Sequence, residues 1–138
     1  IIIIIGGLTL GLGVTKTGLD LWFETLLPEG LSSLFLLLVI FSYLVVLVSN
    51  FMSNTAAANI MLPIVIALSV ALSSDSLVLA AITIALSASF AMALPVSTPP
   101  NAIMYSSGKL ESKDFLLVGL TIGLFAPIIV LSWLFLVL

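Results

Sequence analysis

The sequence predicts an all-α integral membrane protein, a bundle of helices interrupted at two polar breaks. Of the 138 residues, 62% are hydrophobic and 7% are charged, whereas soluble domains carry roughly 25% charged residues. The mean hydropathy is +1.47, and the three basic and six acidic residues all lie outside the long apolar runs. With about 20 residues per crossing, the length allows about four to six crossings or re-entrant segments.

The composition also excludes several classes of function. The chain has no cysteine and no histidine, so it offers neither disulfides nor an imidazole for proton transfer. The net charge of −3 and the lack of a basic cluster argue against a nucleic-acid partner. No nucleophile–base pair or acid pair occurs in the apolar runs, so we expect no enzyme. The chain opens on Ile1–Ile5 with no charged leader, and we expect a fragment that begins inside a membrane helix.

The first thirty residues predict a truncated membrane helix over 1–13 and an interfacial arm over 14–30. Gly7 and Gly11 have the four-residue spacing that lets membrane helices approach closely, although a kink is the alternative. Residues 14–30 alternate charged and apolar side chains, which suits a short helix with Trp22 at the level of the lipid headgroups. An ordinary extramembrane loop is the alternative for the outer parts of this arm.

The first polar break is Ser53-Asn54-Thr55, which lies between apolar runs over 31–52 and 56–72. In a hydrocarbon core, the backbone groups of such a break can be satisfied only by protein, a bound ligand or a wet cavity. A polar break at that depth is therefore costly unless it binds something. The alternative is an extramembrane turn between two spanning helices.

The second break runs from Pro95 to Asn101 within the segment 77–107. Pro99 and Pro100 lack backbone N–H groups and bar a continuous helix. The segment is too long for one plain helix and awkward for two, so a broken membrane helix accounts for it best. A proline kink packed against neighbouring helices is the alternative.

The last segment, 115–137, predicts a membrane helix with glycines at the packing spacing and a kink at Pro127. The loop over 108–114 carries two lysines, whereas the turn over 73–76 carries none. Because basic residues concentrate on the cytoplasmic side, we expect 108–114 inside, 73–76 outside and the C-terminus outside.

Both breaks join a helix end to a helix start. A helix start presents free backbone N–H groups and a partial positive charge, and it attracts an anion without Lys or Arg. We expect such starts near Ala56 and Ala102. A helix end presents carbonyls that suit a cation. Since the apolar spans hold no ionisable residue, neutral oxygens favour Na⁺ coupling over proton coupling.

The two breaks resemble motifs of the divalent anion/sodium symporter family, whose members carry dicarboxylates, citrate or sulfate. The string Ser-Asn-Thr-Ala-Ala-Ala from Ser53 resembles the second Ser-Asn-Thr signature of that family. The string Leu-Pro-Val-Ser-Thr-Pro-Pro-Asn-Ala-Ile from Leu94 resembles the unwound loop after its hairpin, and the Gly-rich stretch from Gly6 resembles the helix before its arm.

This resemblance implies that the chain is the second of two inverted repeats and lacks the first. It implies that 31–72 is a re-entrant helical hairpin entering from outside, with its tip at 53–55. Family members are generally homodimers. The positions that match the sodium ligands are Ser49, Met52, Asn54 and Ser97, with Met52 and Ser97 acting through backbone carbonyls. Those that match the substrate contacts are Ser53, Asn54, Thr55, Thr98 and Pro99.

The expected function is sodium-coupled symport of divalent anions in the inner (plasma) membrane, as part of a multi-pass carrier. Dicarboxylates such as succinate or malate are the expected cargo, with citrate or sulfate as further candidates. One alternative is another ion-transporter-group carrier, for arsenical oxyanions or for proton/sodium exchange. The other is a structural membrane subunit whose polar breaks only pack.

Overall fold

A computed structural model of the chain describes residues 5, 6, 9, 12, 13, 16–18, 22, 34–73 and 76–137. The helix expected over 1–13 and the arm expected over 14–30 therefore lie outside the described residues, apart from isolated positions. The described part from residue 34 onward is helical and contains no strand. Its helices, in chain order, are α1 Leu34–Ser49, α2 Asn54–Leu72, α3 Leu77–Ser89, α4 Pro99–Ser106 and α5 Ser112–Val137.

The helices differ in whether they could cross a bilayer. Among the described residues, only α5 is long and apolar enough to do so. Its 26 residues span about 39 Å at about 1.5 Å per residue. The 16 residues of α1 span about 24 Å, which is less than the hydrocarbon core of about 30 Å. A hairpin that enters the bilayer and turns back inside it would need short helices. The re-entrant hairpin expected over 31–72 stays a prediction.

Helices α1, α2 and α3 pack against one another, and α5 lies against α1 and α3. The core between them is built from aliphatic side chains that are fully buried. These are Leu38 and Val45 from α1, Val65 from α2, Ile84 from α3 and Leu131 from α5. Each helix thus contributes to one shared core, which fixes the end of α1 and the end of α3 relative to each other.

Helix α5 packs through a narrow stripe of residues spaced four apart. The buried members of the stripe are Phe115, Gly119, Gly123, Pro127 and Leu131. Residues at this spacing share one helix face, and glycines on it allow close approach of a neighbouring backbone. The phenolic O–H of Tyr43 on α1 donates to the carbonyl of Leu124, close to the proline inside α5.

The segment between α3 and α4 is not helical. Helix α3 ends at Ser89, residues 90–98 form turns and bends, and α4 begins at Pro99. The start of α4 is three residues earlier than Ala102, where the sequence placed it, because proline is well suited to the first helical position. Helix α4 has no buried residue. That this segment is a broken membrane helix stays a prediction.

Candidate ion-binding site

The start of α2 carries free backbone donors. Ser53 is the N-cap, with extended backbone (φ −66°, ψ 144°), and its Oγ accepts from the Ala56 N–H at 3.2 Å. Its carbonyl accepts from the Ala57 N–H at 3.0 Å. The N–H groups of Asn54 and Thr55 have no hydrogen-bond partner among the described residues. These two donors and the positive end of the helix dipole suit an anion.

The start of α4 is different. Thr98 is its N-cap, and Thr98 Oγ1 accepts from the Asn101 N–H at 3.4 Å. The Thr98 carbonyl accepts from the Ala102 N–H at 3.1 Å, and the prolines at positions 99 and 100 have no N–H. Of the backbone donors at this helix start, the N–H of Thr98 itself has no hydrogen-bond partner among the described residues. Free N–H groups therefore occur at both helix starts, with fewer of them at α4 than at α2.

Ser49, at the end of α1, connects the two arms of the hairpin with α3. Its side chain is fully buried, and its Oγ lies 2.8 Å from Asn54 Oδ1 and 2.9 Å from the carbonyl oxygen of Ala88. A hydroxyl donates only one hydrogen, so it cannot donate to both oxygens at once. Turning the Asn54 amide over resolves this, because Nδ2 then donates to Ser49 Oγ and the hydroxyl donates to Ala88. In that orientation Asn54 Oδ1 accepts no hydrogen bond from Ser49 and could bind a cation.

The other two expected sodium ligands would act through their backbone carbonyls. The carbonyls of Met52 and Ser97 accept no hydrogen bond from the described residues. Ser97 is buried, and its hydroxyl donates to the Leu94 carbonyl at 2.7 Å, so its own carbonyl is its remaining oxygen. Within the described chain, the structure brings Ser49 and Asn54 into contact and joins neither Met52 nor Ser97 to them by a hydrogen bond.

The expected substrate residues lie at the two helix starts. Ser53 and Thr55 are exposed at the start of α2, and Pro99 is exposed at the start of α4. Asn54 and Thr98 are partly buried. No hydrogen bond joins the two helix starts directly in the part of the chain that the structure describes. Neither helix start is therefore occupied by a hydrogen bond from the other.

Two hydrogen bonds nevertheless connect the region of the hairpin tip with the end of α3 and with the non-helical segment that follows it. One is the contact from Ser49 to Ala88, and the other is donated by the Ala93 N–H to Asn50 Oδ1 at 2.8 Å. The sequence left Asn50 unassigned and did not single out Ala88. The sequence signal that could have identified Asn50 is its amide side chain, which lies one turn before Asn54 in an otherwise apolar run. The end of α3 next to Ala88 has no sequence signal of this kind.

Short helices that end inside an apolar bundle, with neutral oxygens and helix termini at the breaks, are the construction of secondary transporters. Comparison with known families identifies one family within this class. The model described as the sodium:sulfate symporter transmembrane region matches residues 1–137. The chain belongs to this family, and the resemblance drawn from its two polar motifs is confirmed.

The chain is also similar to individual transporters within this family. The chain is 40% identical over 127 residues to the sodium-dependent dicarboxylate transporter SdcS of Staphylococcus saprophyticus. It is 38% identical over 131 residues to the protein of the same name from Staphylococcus aureus strain USA300. Each match covers 91% of this chain and 24% of the relative. The chain thus spans about a quarter of the length of these relatives.

Proposed function

We propose that the chain forms half of the binding region of a sodium-coupled carrier that symports divalent anions. The single observation that carries the proposal is the hairpin tip, where free N–H groups and the Asn54 amide in contact with Ser49 lie within one helical turn. Membership in the family and the printed name of the relatives support sodium dependence and a dicarboxylate cargo. The residues that match the second of two inverted repeats would face a first repeat elsewhere in the carrier.

The sodium site would use uncharged oxygens only. Asn54 Oδ1 and Ser49 Oγ would contact the ion together with the free carbonyls of Met52 and Ser97. These hard oxygen donors suit Na⁺ and offer no group that binds and releases a proton near neutral pH. The negative ends of α1 and α3 would also favour a cation at a site between them.

The anion would bind beside the sodium ion. One carboxylate would accept from the N–H groups of Asn54 and Thr55 and from the Thr55 hydroxyl. Thr98 Oγ1 already accepts from Asn101, so its own hydrogen is free to donate to the anion. Ser53 and Pro99 would line the edges of the pocket. The bound sodium offsets the charge of the anion, which explains how a chain without cationic residues in these segments could hold it.

The remaining parts of the proposal concern the whole carrier. It would be a multi-pass protein of the plasma membrane, surrounded by lipid, and a homodimer. It would not be an enzyme, in keeping with relatives that are named transporters. Sulfate is a second candidate cargo because the matching family model is named for sodium and sulfate.

The test is uptake by the carrier that contains this chain, reconstituted in liposomes. An inward sodium gradient should drive accumulation of labelled succinate, whereas potassium at the same concentration should not. Competition by unlabelled sulfate, malate and citrate ranks the cargo. Uptake that does not depend on sodium would contradict the proposal and favour another ion-transporter-group carrier. Absence of uptake of every anion tested would favour a structural subunit.

The site assignment is tested by Asn54→Ala, which removes the amide that contacts Ser49. We expect sodium-dependent uptake to be lost while the purified carrier stays folded. Asn59→Ala is the matched control, since Asn59 is an amide on the same helix that makes no hydrogen bond to Ser49. Equal uptake by the two variants would refute the role given to Asn54.

A further inference from the structure

The peptide group between Met92 and Ala93 is held from three sides. The Ala93 N–H donates to Asn50 Oδ1 at 2.8 Å, and the Met92 carbonyl accepts from Asn101 Nδ2 at 3.2 Å. On the third side, Gly119 of α5 lies so close that an added Cβ would be 2.2 Å from Ala93 Cα. Three separate elements, the end of α1, the first turn of α4 and the middle of α5, therefore meet at one peptide bond.

Both ends of the Asn50 side chain have fixed partners. Its Nδ2 donates to the Val46 carbonyl at 2.9 Å, and its Oδ1 accepts from Ala93. Since one end meets an acceptor and the other a donor, the orientation of this amide is determined, unlike that of Asn54. Ala93 is buried, and its N–H lies beyond the end of α3, where no helical carbonyl accepts it. Without Asn50 this N–H would be an unpaired polar group, which is costly in an apolar environment.

The position of this peptide group in the chain matters for the candidate cation site. It lies between Ala88, whose carbonyl contacts Ser49, and Ser97, whose carbonyl is free. Asn50 itself follows Ser49 directly in the chain. One amide thus connects the segment that bears Ser49 and Asn54 with the non-helical segment that ends at Ser97.

We propose that Asn50 is a positioning residue for the cation site, which acts by fixing the Met92–Ala93 peptide group relative to the hairpin tip. The proposal rests on the proposed function above. Asn50 touches neither ion nor anion in this scheme. It sets the distance between the ligands on the hairpin and the carbonyl on the second break, so its loss weakens sodium binding more than anion binding.

The decisive variant is Asn50→Thr. A threonine hydroxyl in a helix can bond the carbonyl four residues earlier, as Thr83 does with Leu79 at 2.7 Å, so the bond to Val46 is retained while the acceptor for Ala93 is lost. We expect the sodium concentration for half-maximal succinate uptake to rise about threefold to tenfold, the factor that the loss of one hydrogen bond gives. The KM for succinate at saturating sodium should change less than twofold.

Two further variants keep the proposal falsifiable if Asn50→Thr is poorly folded. Asn50→Asp retains an oxygen acceptor for the Ala93 N–H, and its half-maximal sodium concentration should not exceed that of the wild type. Asn101→Ala removes the bond to the Met92 carbonyl from the opposite side and should shift the sodium dependence in the same direction as Asn50→Thr.

The outcomes separate this proposal from the proposed function. Absence of sodium-driven uptake by the wild type would overturn the proposed function itself. Normal wild-type uptake, with unchanged sodium dependence in both Asn50→Thr and Asn101→Ala, would overturn the positioning role alone. An equal rise in the KM for succinate and in the sodium requirement would also overturn it, because a general loss of structure moves both.

Discussion

Among the glycines that the structure describes, Gly119 has the least room for a side chain. A Cβ built at this residue lies 2.2 Å from Ala93 Cα, 2.3 Å from Ala93 N and 2.7 Å from the Met92 carbonyl carbon. Carbon atoms in contact are normally about 3.5–4.0 Å apart. All three neighbours are backbone atoms, which cannot rotate away as a side chain can. In Gly119→Ala, helix α5 must therefore move outward by more than about 1 Å.

That movement opens the packed stripe on both sides of the substitution, including Phe115 and Leu131. Inserting a methyl group into a well-packed site usually costs about 1–3 kcal/mol, and an immovable backbone places this case at about 3 kcal/mol. Gly123→Ala is the matched control. Its Cβ would meet only Val46 Cγ1, at 3.2 Å, and a shift of a few tenths of an ångström relieves that contact.

The two variants share the same gain in helix propensity of about 1 kcal/mol, so the difference between them isolates the steric effect. The measurement is the free energy of unfolding of the purified carrier in mixed micelles, from denaturant titrations of both variants and the wild type. We expect Gly119→Ala to be less stable than Gly123→Ala by about 2–3 kcal/mol. Equal stabilities would refute the close approach of α5 to Ala93.

Two smaller effects on stability follow from hydrogen bonds. Ser53→Ala removes the N-cap of α2 and should destabilise the carrier by about 1 kcal/mol in thermal unfolding. Ser53→Thr should keep most of the stability, because threonine also caps helices. Equal stability of the two variants would exclude a capping role for Ser53. Tyr43→Phe removes the bond to the Leu124 carbonyl and should cost about 0.6–1.7 kcal/mol, the range for hydrogen bonds between membrane helices. A Tyr43→Phe variant as stable as the wild type in the same denaturant titration would show that this contact contributes nothing.

The sequence predicted those features that depend on local chemistry. The first break is readable from its three polar residues, but α2 begins at Asn54 and not near Ala56, because Ser53 caps the helix. A break before α4 is readable because two prolines remove backbone donors, but α3 already ends at Ser89, before the break that the sequence placed at Pro95. The start of α4 was placed at Ala102 instead of Pro99 because the sequence does not show whether a proline pair precedes a helix or opens it.

The contacts within the candidate site depend on long-range packing and could not be predicted in this way. The bond from Ser49 to Ala88 joins residues 39 apart, and that from Ala93 to Asn50 joins residues 43 apart. Neither Ala88 nor Ala93 has a side chain that marks its backbone as a partner. The sequence identified Asn54 as part of a polar break and Ser49 only through resemblance to a family, whereas the contact between them comes from the structure.

The two helix starts are unequal, and this bears on how a divalent anion would be held. Beyond its N-cap, the start of α2 has the free N–H groups of Asn54 and Thr55, whereas the start of α4 has only the N–H and the hydroxyl of Thr98. One carboxylate of the anion can therefore be fully bound at Asn54 and Thr55, with the sodium ion beside it. A second carboxylate finds no comparable set of donors in residues 34–73 or 76–137. Under the proposed function, its binding groups, and with them the choice among dicarboxylates, lie in the part of the carrier outside these residues.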